Sequence, residues 1–126
     1  MVSKQLLSGK GWRVGWFPHA NPFPGLVGGD NWAIELTQPE LEEFCTLSLQ
    51  LIESVQQAQS ELSDRESLTC TAETENICLE LSGYPGDFRL SLQLHTGRRA
   101  EGIWDNNCLS ELVDAITKIA MSFTHC

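Results

Sequence analysis

Ser-His-Asp and Cys-His chemistry both need an imidazole held by an orienting carboxylate. The three histidines offer no such setting: His19 lies in a Pro/Gly stretch, His95 ends a run of alternating residues and His125 is penultimate. No catalytic residue is therefore assigned. A metal centre needs three or four converging ligands, and no spacing of Cys45, Cys70, Cys78, Cys108 and Cys126 with the histidines supplies a C-x-x-C or finger pattern. Neither a metal nor a cofactor is expected. Ser8-Gly9-Lys10-Gly11 lacks the G-x-x-x-x-G-K-[ST] spacing of a phosphate loop and has no strand before it. The paired acids Glu42-Glu43 read as the solvated face of a helix.

The aromatic and basic residues are more informative. Trp12, Trp16, Trp32 and Trp104 all fall in or at the ends of alternating segments. Exposed indoles of this kind stack on bases or on a partner surface, and buried ones make an aromatic core. Arg13 and Arg89 lie on strand faces opposite the apolar residues, so both are expected to be exposed and to form a modest basic strip. The candidate contact surface is Trp12, Arg13, Trp16, Arg89, Arg99 and Trp104. The competing reading of Arg13, Arg89, Arg98 and Arg99 is cross-strand pairing with Glu35, Glu80 or Glu101.

The elements that must position these residues read as follows. Gly11–Phe17 and Trp32–Leu36 alternate as strands, separated by a His19–Asp30 loop rich in proline and glycine. Thr37-Gln38-Pro39-Glu40 is a helix start with a capping box, and an apolar stripe then runs from Leu41 to Leu62, predicting a helix over Pro39–Glu61. Four strands follow, over Leu68–Glu73, Ile77–Leu81, Phe88–His95 and Arg98–Trp104, with a turn at Thr96-Gly97. Asn107 caps a last helix carrying Leu109, Leu112, Val113, Ile116 and Ile119. If the first hairpin of that set turns through Glu73–Asn76, Cys70 faces Leu79 and points inward while Cys78 points outward. A Cys70–Cys78 disulfide is then geometrically poor. Cys45 sits on the apolar stripe as a core residue. The expected fold is a single α+β domain over residues 1–126, with antiparallel sheets in the order β-β-α-β-β-β-β-α and two helices packed on the sheet.

A chain of 126 residues that is 41% hydrophobic has enough apolar surface for one core, which excludes disordered, collagen-like and disulfide-scaffold classes. The net charge of −9 is uneven: residues 35–80 hold eleven carboxylates against Arg65 alone. Such a field repels phosphate backbones. No run approaches the ~18 apolar residues of a membrane span, and Met1–Gly11 has no apolar leader core. With free thiols and no Asn-x-Ser/Thr sequon, a cytoplasmic location is expected.

Three segments, GWRVGW at 11–16, GGDNWAIELTQPELEEF at 28–44 and FRLSLQLHTGRRAEGIWDNNCLSELVDAI at 88–116, resemble a family of small cyanobacterial and plastid proteins known as domain of unknown function 1818. That resemblance implies a fold similar to the Whirly and positive-cofactor-four single-stranded-DNA-binding regulators, in which four antiparallel strands and a helix form a repeated unit. Whirly proteins bind DNA through a Lys-Gly-Lys-Ala-Ala-Leu signature that this chain lacks, so no site residue transfers. The expected function is a non-enzymatic protein-binding, assembly or regulatory module whose partner is another protein or a second copy. The alternative is weak single-stranded nucleic-acid binding, and a third reading is a small-molecule site enclosed by a barrel-like sheet.

Overall fold

A computed structural model of the chain describes residues 4–95 and 97–123. The expected turn residue Thr96, together with His125 and Cys126, lies outside the described residues. Ten elements follow one another: β1 (Gln5–Gly9), β2 (Trp12–Trp16), β3 (Gly25–Gly28), β4 (Ala33–Leu36), α1 (Gln38–Gln59), β5 (Leu68–Glu73), β6 (Ile77–Tyr84), β7 (Asp87–Leu94), β8 (Glu101–Trp104) and α2 (Asn106–Phe123). Each quartet of strands is an antiparallel meander in chain order, so the fold is α+β with two four-stranded sheets.

The order is thus β-β-β-β-α-β-β-β-β-α, and it corrects the two-strand first half expected from the sequence. The Ser8–Gly11 stretch contains the tight turn joining β1 to β2, with Gly9 opposite Trp12. β3 lies inside what reads as a Pro/Gly loop. Its glycines mark close packing rather than a turn: a Cβ on Gly25 would lie 2.9 Å from the Leu41 Cβ. β3 therefore slides under the first turn of α1, and only glycine permits it.

Helix α1 begins with the expected capping box. The Glu40 N–H donates to Thr37 Oγ1 (3.3 Å), and the Thr37 N–H donates to Glu40 Oε1 (2.8 Å). α2 is capped by Asp105 rather than Asn107. The Asp105 carboxylate accepts from the Asn107 N–H (3.0 Å), while Asn106 Oδ1 accepts from the Phe88 N–H (3.1 Å) and ties the helix start to β7. Both helices lie against both sheets. α1 packs on β5 and β6 and also on β3 and β4, whereas α2 packs on β1, β2 and β7, and the helices touch each other. One core results, with Val14, Val27 and Leu36 from the first sheet, Leu79, Leu81, Leu90 and Leu92 from the second, and Phe44, Leu112 and Ile116 from the helices. Burying each such aliphatic side chain contributes roughly 1.5–3 kcal/mol.

In the second sheet the register is shifted by two residues from expectation. Glu73 faces Cys78 and Cys70 faces Leu81, because the turn spans only Thr74–Asn76. A shift of two preserves parity, and all four described cysteines are free thiols. Cys45 is fully buried, as its place on the stripe requires. Among the described residues no helix is long and apolar enough to cross a membrane.

A loop-to-helix clamp joins the two halves. Arg98, in the β7–β8 loop, donates to the Glu35 carbonyl and to Glu40 Oε1, and its guanidinium lies 4.6 Å from the centre of the Phe23 ring. Of the pairings weighed for the arginines, this one involves the Glu35 backbone and the capping carboxylate rather than a cross-strand partner.

Candidate functional site

The inward alternation of β6, β7 and β8 leaves Cys78, Glu80, Ser82 and Tyr84, then Arg89, Ser91 and Gln93, then Glu101 and Ile103 on the outer face of the second sheet. Three shallow cavities lie along this face and share walls. One of about 290 Å³ is bounded by Glu80, Tyr84, Asp87 and Arg89, and ends at Ser91 and Ile103. The next, about 510 Å³, shares Ser91 and Ile103 and is closed by Trp32, Gln93, Glu101 and Gly102. A third, about 260 Å³, shares Gln93 and Glu101 and reaches His95 and Arg99. Together they form one trough. Tyr84 (49% exposed) and Ile103 (55% exposed) stand in it as large apolar groups open to solvent, and such residues are informative where they line a groove.

Trp32 reaches the trough from the turn before β4. Its ring packs on Trp104 with centroids 5.1 Å apart, and a Cβ on Gly102 would fall 2.2 Å from the Trp32 ring. Glycine at 102 is what lets the first sheet meet β8 here. Arg13 fixes the same turn by donating from Nε to the Gly29 carbonyl (3.0 Å) and from Nη2 to the Trp32 carbonyl (2.8 Å).

The expected contact residues are thereby separated. Trp12, Trp16 and Trp104 are buried core side chains rather than stacking surfaces. Trp12 donates to Glu111 Oε1 (3.0 Å), Trp104 donates to the Gly28 carbonyl (2.9 Å), and Trp16 meets Phe123 edge-on at 5.1 Å. Arg13 is half-buried and engaged, contrary to expectation, and belongs to the first sheet while Arg89 belongs to the second. The basic strip therefore does not form. Arg89 and Arg99 are exposed in the trough, with Arg99 in the left-handed region at φ 47°. Trp32, Tyr84 and Ile103 were not picked out as contact residues from the sequence. For Ile103 the signal was present, because Gly102 and Trp104 point inward and so turn Ile103 out.

At the far end of the outer face, strand register assembles a group that spacing along the chain conceals. A Glu73 carboxylate oxygen, the Cys78 Sγ and a His95 ring nitrogen all lie within 4.8 Å of one another. The Glu73 Oε2 is 2.7 Å from His95 Nε2. This is a candidate ligand set where none was expected. Burial, with the nearby Glu73 and Glu80 carboxylates, raises the Cys78 thiol above its ordinary value. Burial pushes Cys45 up to about 12, with Glu42 adding to it, and raises Cys108 with help from Asp105.

The family model described as Domain of unknown function (DUF1818) matches residues 7–119. Among solved structures, the chain is similar to a protein of unknown function from the DUF155 family of Prochlorococcus sp. NATL2A. The two share 26% identity with a TM-score of 0.86, over 92% of this chain and 98% of that one. None of the curated proteins matches.

Proposed function

The chain belongs to the DUF1818 family, and from the geometry of its second sheet we propose that it is a non-catalytic protein-binding module. The trough bordered by Tyr84, Ile103 and Trp32 is its contact surface. The observation that carries this reading is the pairing of two half-exposed large side chains, Tyr84 and Ile103, with adjoining cavities that share Ser91 and Ile103 along the outer face. Glu80, Asp87 and Glu101 outnumber Arg89 and Arg99 along it. A partner segment with apolar side chains and compensating Lys or Arg is the complementary chemistry, supplied by another protein or by a second copy of the chain.

The single-stranded nucleic-acid alternative comes from the Whirly-like fold that the family resemblance implies. Burial of Trp12, Trp16 and Trp104 removes the stacking platform that alternative relied on, which leaves the protein-binding reading better supported.

The test is a photo-crosslinking side chain placed at Ile103, compared with one at exposed Thr117 on α2. A defined partner or a self-crosslink at 103, absent at 117 and lost when Tyr84→Asp is added, supports the proposal. Equal labelling at both positions overturns it. In parallel, tryptophan fluorescence during titration with single-stranded DNA and RNA at low salt should stay flat. Saturable, salt-weakened quenching would instead favour nucleic acid.

A further inference from the structure

The Glu73–Cys78–His95 group is held by more than chance proximity. Antiparallel register sets Glu73 directly opposite Cys78, and Cys78 opposite Gln93 on β7. His95 follows β7, where its N–H donates to the Asn76 carbonyl (2.8 Å). Its imidazole is thereby brought over the β5–β6 turn. That turn is itself fixed. Thr74 Oγ1 accepts from the Asn76 and Ile77 N–H groups (3.0 and 3.1 Å) and donates to Glu43 Oε1 (2.5 Å), while Asn76 Nδ2 donates to Glu43 Oε2 (3.0 Å). Both Glu43 oxygens are used to anchor the turn to α1, so Glu43 is a structural clamp rather than the solvated acid that the sequence implied.

We propose that Glu73, Cys78 and His95 form a binding site for a divalent transition-metal ion of the zinc class, with water completing a tetrahedral shell. A thiolate, an imidazole and a carboxylate together suit zinc better than the hard cations magnesium and calcium, which take oxygen ligands. Bond lengths of about 2.3 Å to sulfur and 2.0–2.2 Å to nitrogen and oxygen put tetrahedral ligand atoms about 3.2–3.7 Å apart. Closing from the observed spread of up to 4.8 Å asks about 1 Å of movement from surface side chains on a fixed turn. The ion would enter between Glu73 Oε2 and His95 Nε2, now 2.7 Å apart, as these open to about 3.3 Å and the neutral imidazole carries its one proton on Nδ1, leaving Nε2 free to ligate. Binding forms metal–sulfur, metal–nitrogen and metal–oxygen bonds, breaks the Cys78 S–H bond, and releases its proton to solvent with no change of oxidation state. Glu80 beside the thiol adds negative potential that favours the dication. Arg99, across the cavity it shares with His95 and Glu101, is the cation the site must tolerate.

The experiment uses Co²⁺ as a spectroscopic probe of the purified, reduced full chain, followed by Zn²⁺ competition. Expected is 1:1 binding with a near-ultraviolet sulfur-to-cobalt charge-transfer band and visible bands of tetrahedral intensity, both erased by Zn²⁺. Affinity should fall at least tenfold in Cys78→Ser and in His95→Gln, and stay unchanged in Cys70→Ser, whose thiol lies on the opposite face of β5. It should also rise about tenfold per pH unit while one proton is released per ion. Absence of the charge-transfer band in the wild-type chain overturns the proposal without reference to any variant. Binding that survives both Cys78→Ser and His95→Gln marks an adventitious ion and overturns it equally.

Discussion

Removing the Arg98 head group while keeping an apolar stem, as in Arg98→Met, tests whether the β7–β8 loop holds the two halves together. Glu40 is 2% exposed, so its carboxylate depends on the partners it has: Arg98 and the Thr37 N–H. A hydrogen bond to a charged group is worth about 1.5–3 kcal/mol, and stranding a fully buried charge costs about 3–5 kcal/mol. The Arg98 side chain is about one-third open (32% exposed), so water replaces part of what is lost and the lower figure applies. Adding the Phe23 contact at about 0.5 kcal/mol gives a destabilisation of about 2 kcal/mol. For a chain of this size that lowers Tm by roughly 6–10 °C. The assay is urea and thermal unfolding of the wild type, Arg98→Met, Glu40→Gln and the double variant. Glutamine still completes a capping box but brings no stranded charge. The double variant should therefore recover about half of the loss, giving a coupling energy of at least about 1 kcal/mol. A coupling below about 0.3 kcal/mol, the ordinary error of additivity, would refute the account of Glu40 as a carboxylate dependent on Arg98.

Four further outcomes are expected. Gly102→Ala should expel the Trp32 ring from β8, cost about 1–3 kcal/mol by overpacking, and red-shift tryptophan emission; unchanged emission would contradict the close approach. Ser48 is buried with no hydrogen-bond partner for its hydroxyl among the described residues, so Ser48→Ala should be neutral or raise stability by up to about 1 kcal/mol in urea unfolding. Ile103→Asp and Tyr84→Asp should each leave Tm within about 2 °C while removing any partner captured at the trough. The Cys45 thiol is raised from 9.0 to about 12 in the folded chain, so above pH 9 the unfolded chain gives up this proton first. Stability then falls as pH rises, at up to about 1.4 kcal/mol per unit, and the slope between pH 9 and 11 should be shallower in Cys45→Ala.

Much of the architecture was legible because it is written in short-range pattern. The alternation of Leu68–Glu73 gives β5 its bounds to the residue, and Thr37 with Glu40 marks the start of α1. β1 and β3 were not legible for two different reasons. β1 is an edge strand with Leu6 in solvent, so it shows little alternation. β3 carries glycines that look like turn punctuation but serve the close approach of Leu41. The site was less legible still. Whether an indole such as Trp104 is core or surface depends on which face of β8 the helices cover, and that is a tertiary fact. The proximity of Glu73, Cys78 and His95 depends on the register of three strands, and a different turn length would disperse it.

The cross-laid helices carry a consequence for how the chain comes apart. Each four-strand-and-helix half leaves its helix partly on the other half's sheet, so neither half encloses a dry interior alone. The covalent link between them is the exposed stretch around residues 60–67. The two halves are thus obligate to each other, and fragments cut at that stretch should regain native structure only when mixed. The same logic lets two molecules trade halves through an opened 60–67 hinge, giving a swapped dimer with every native contact intact and no new interface to evolve.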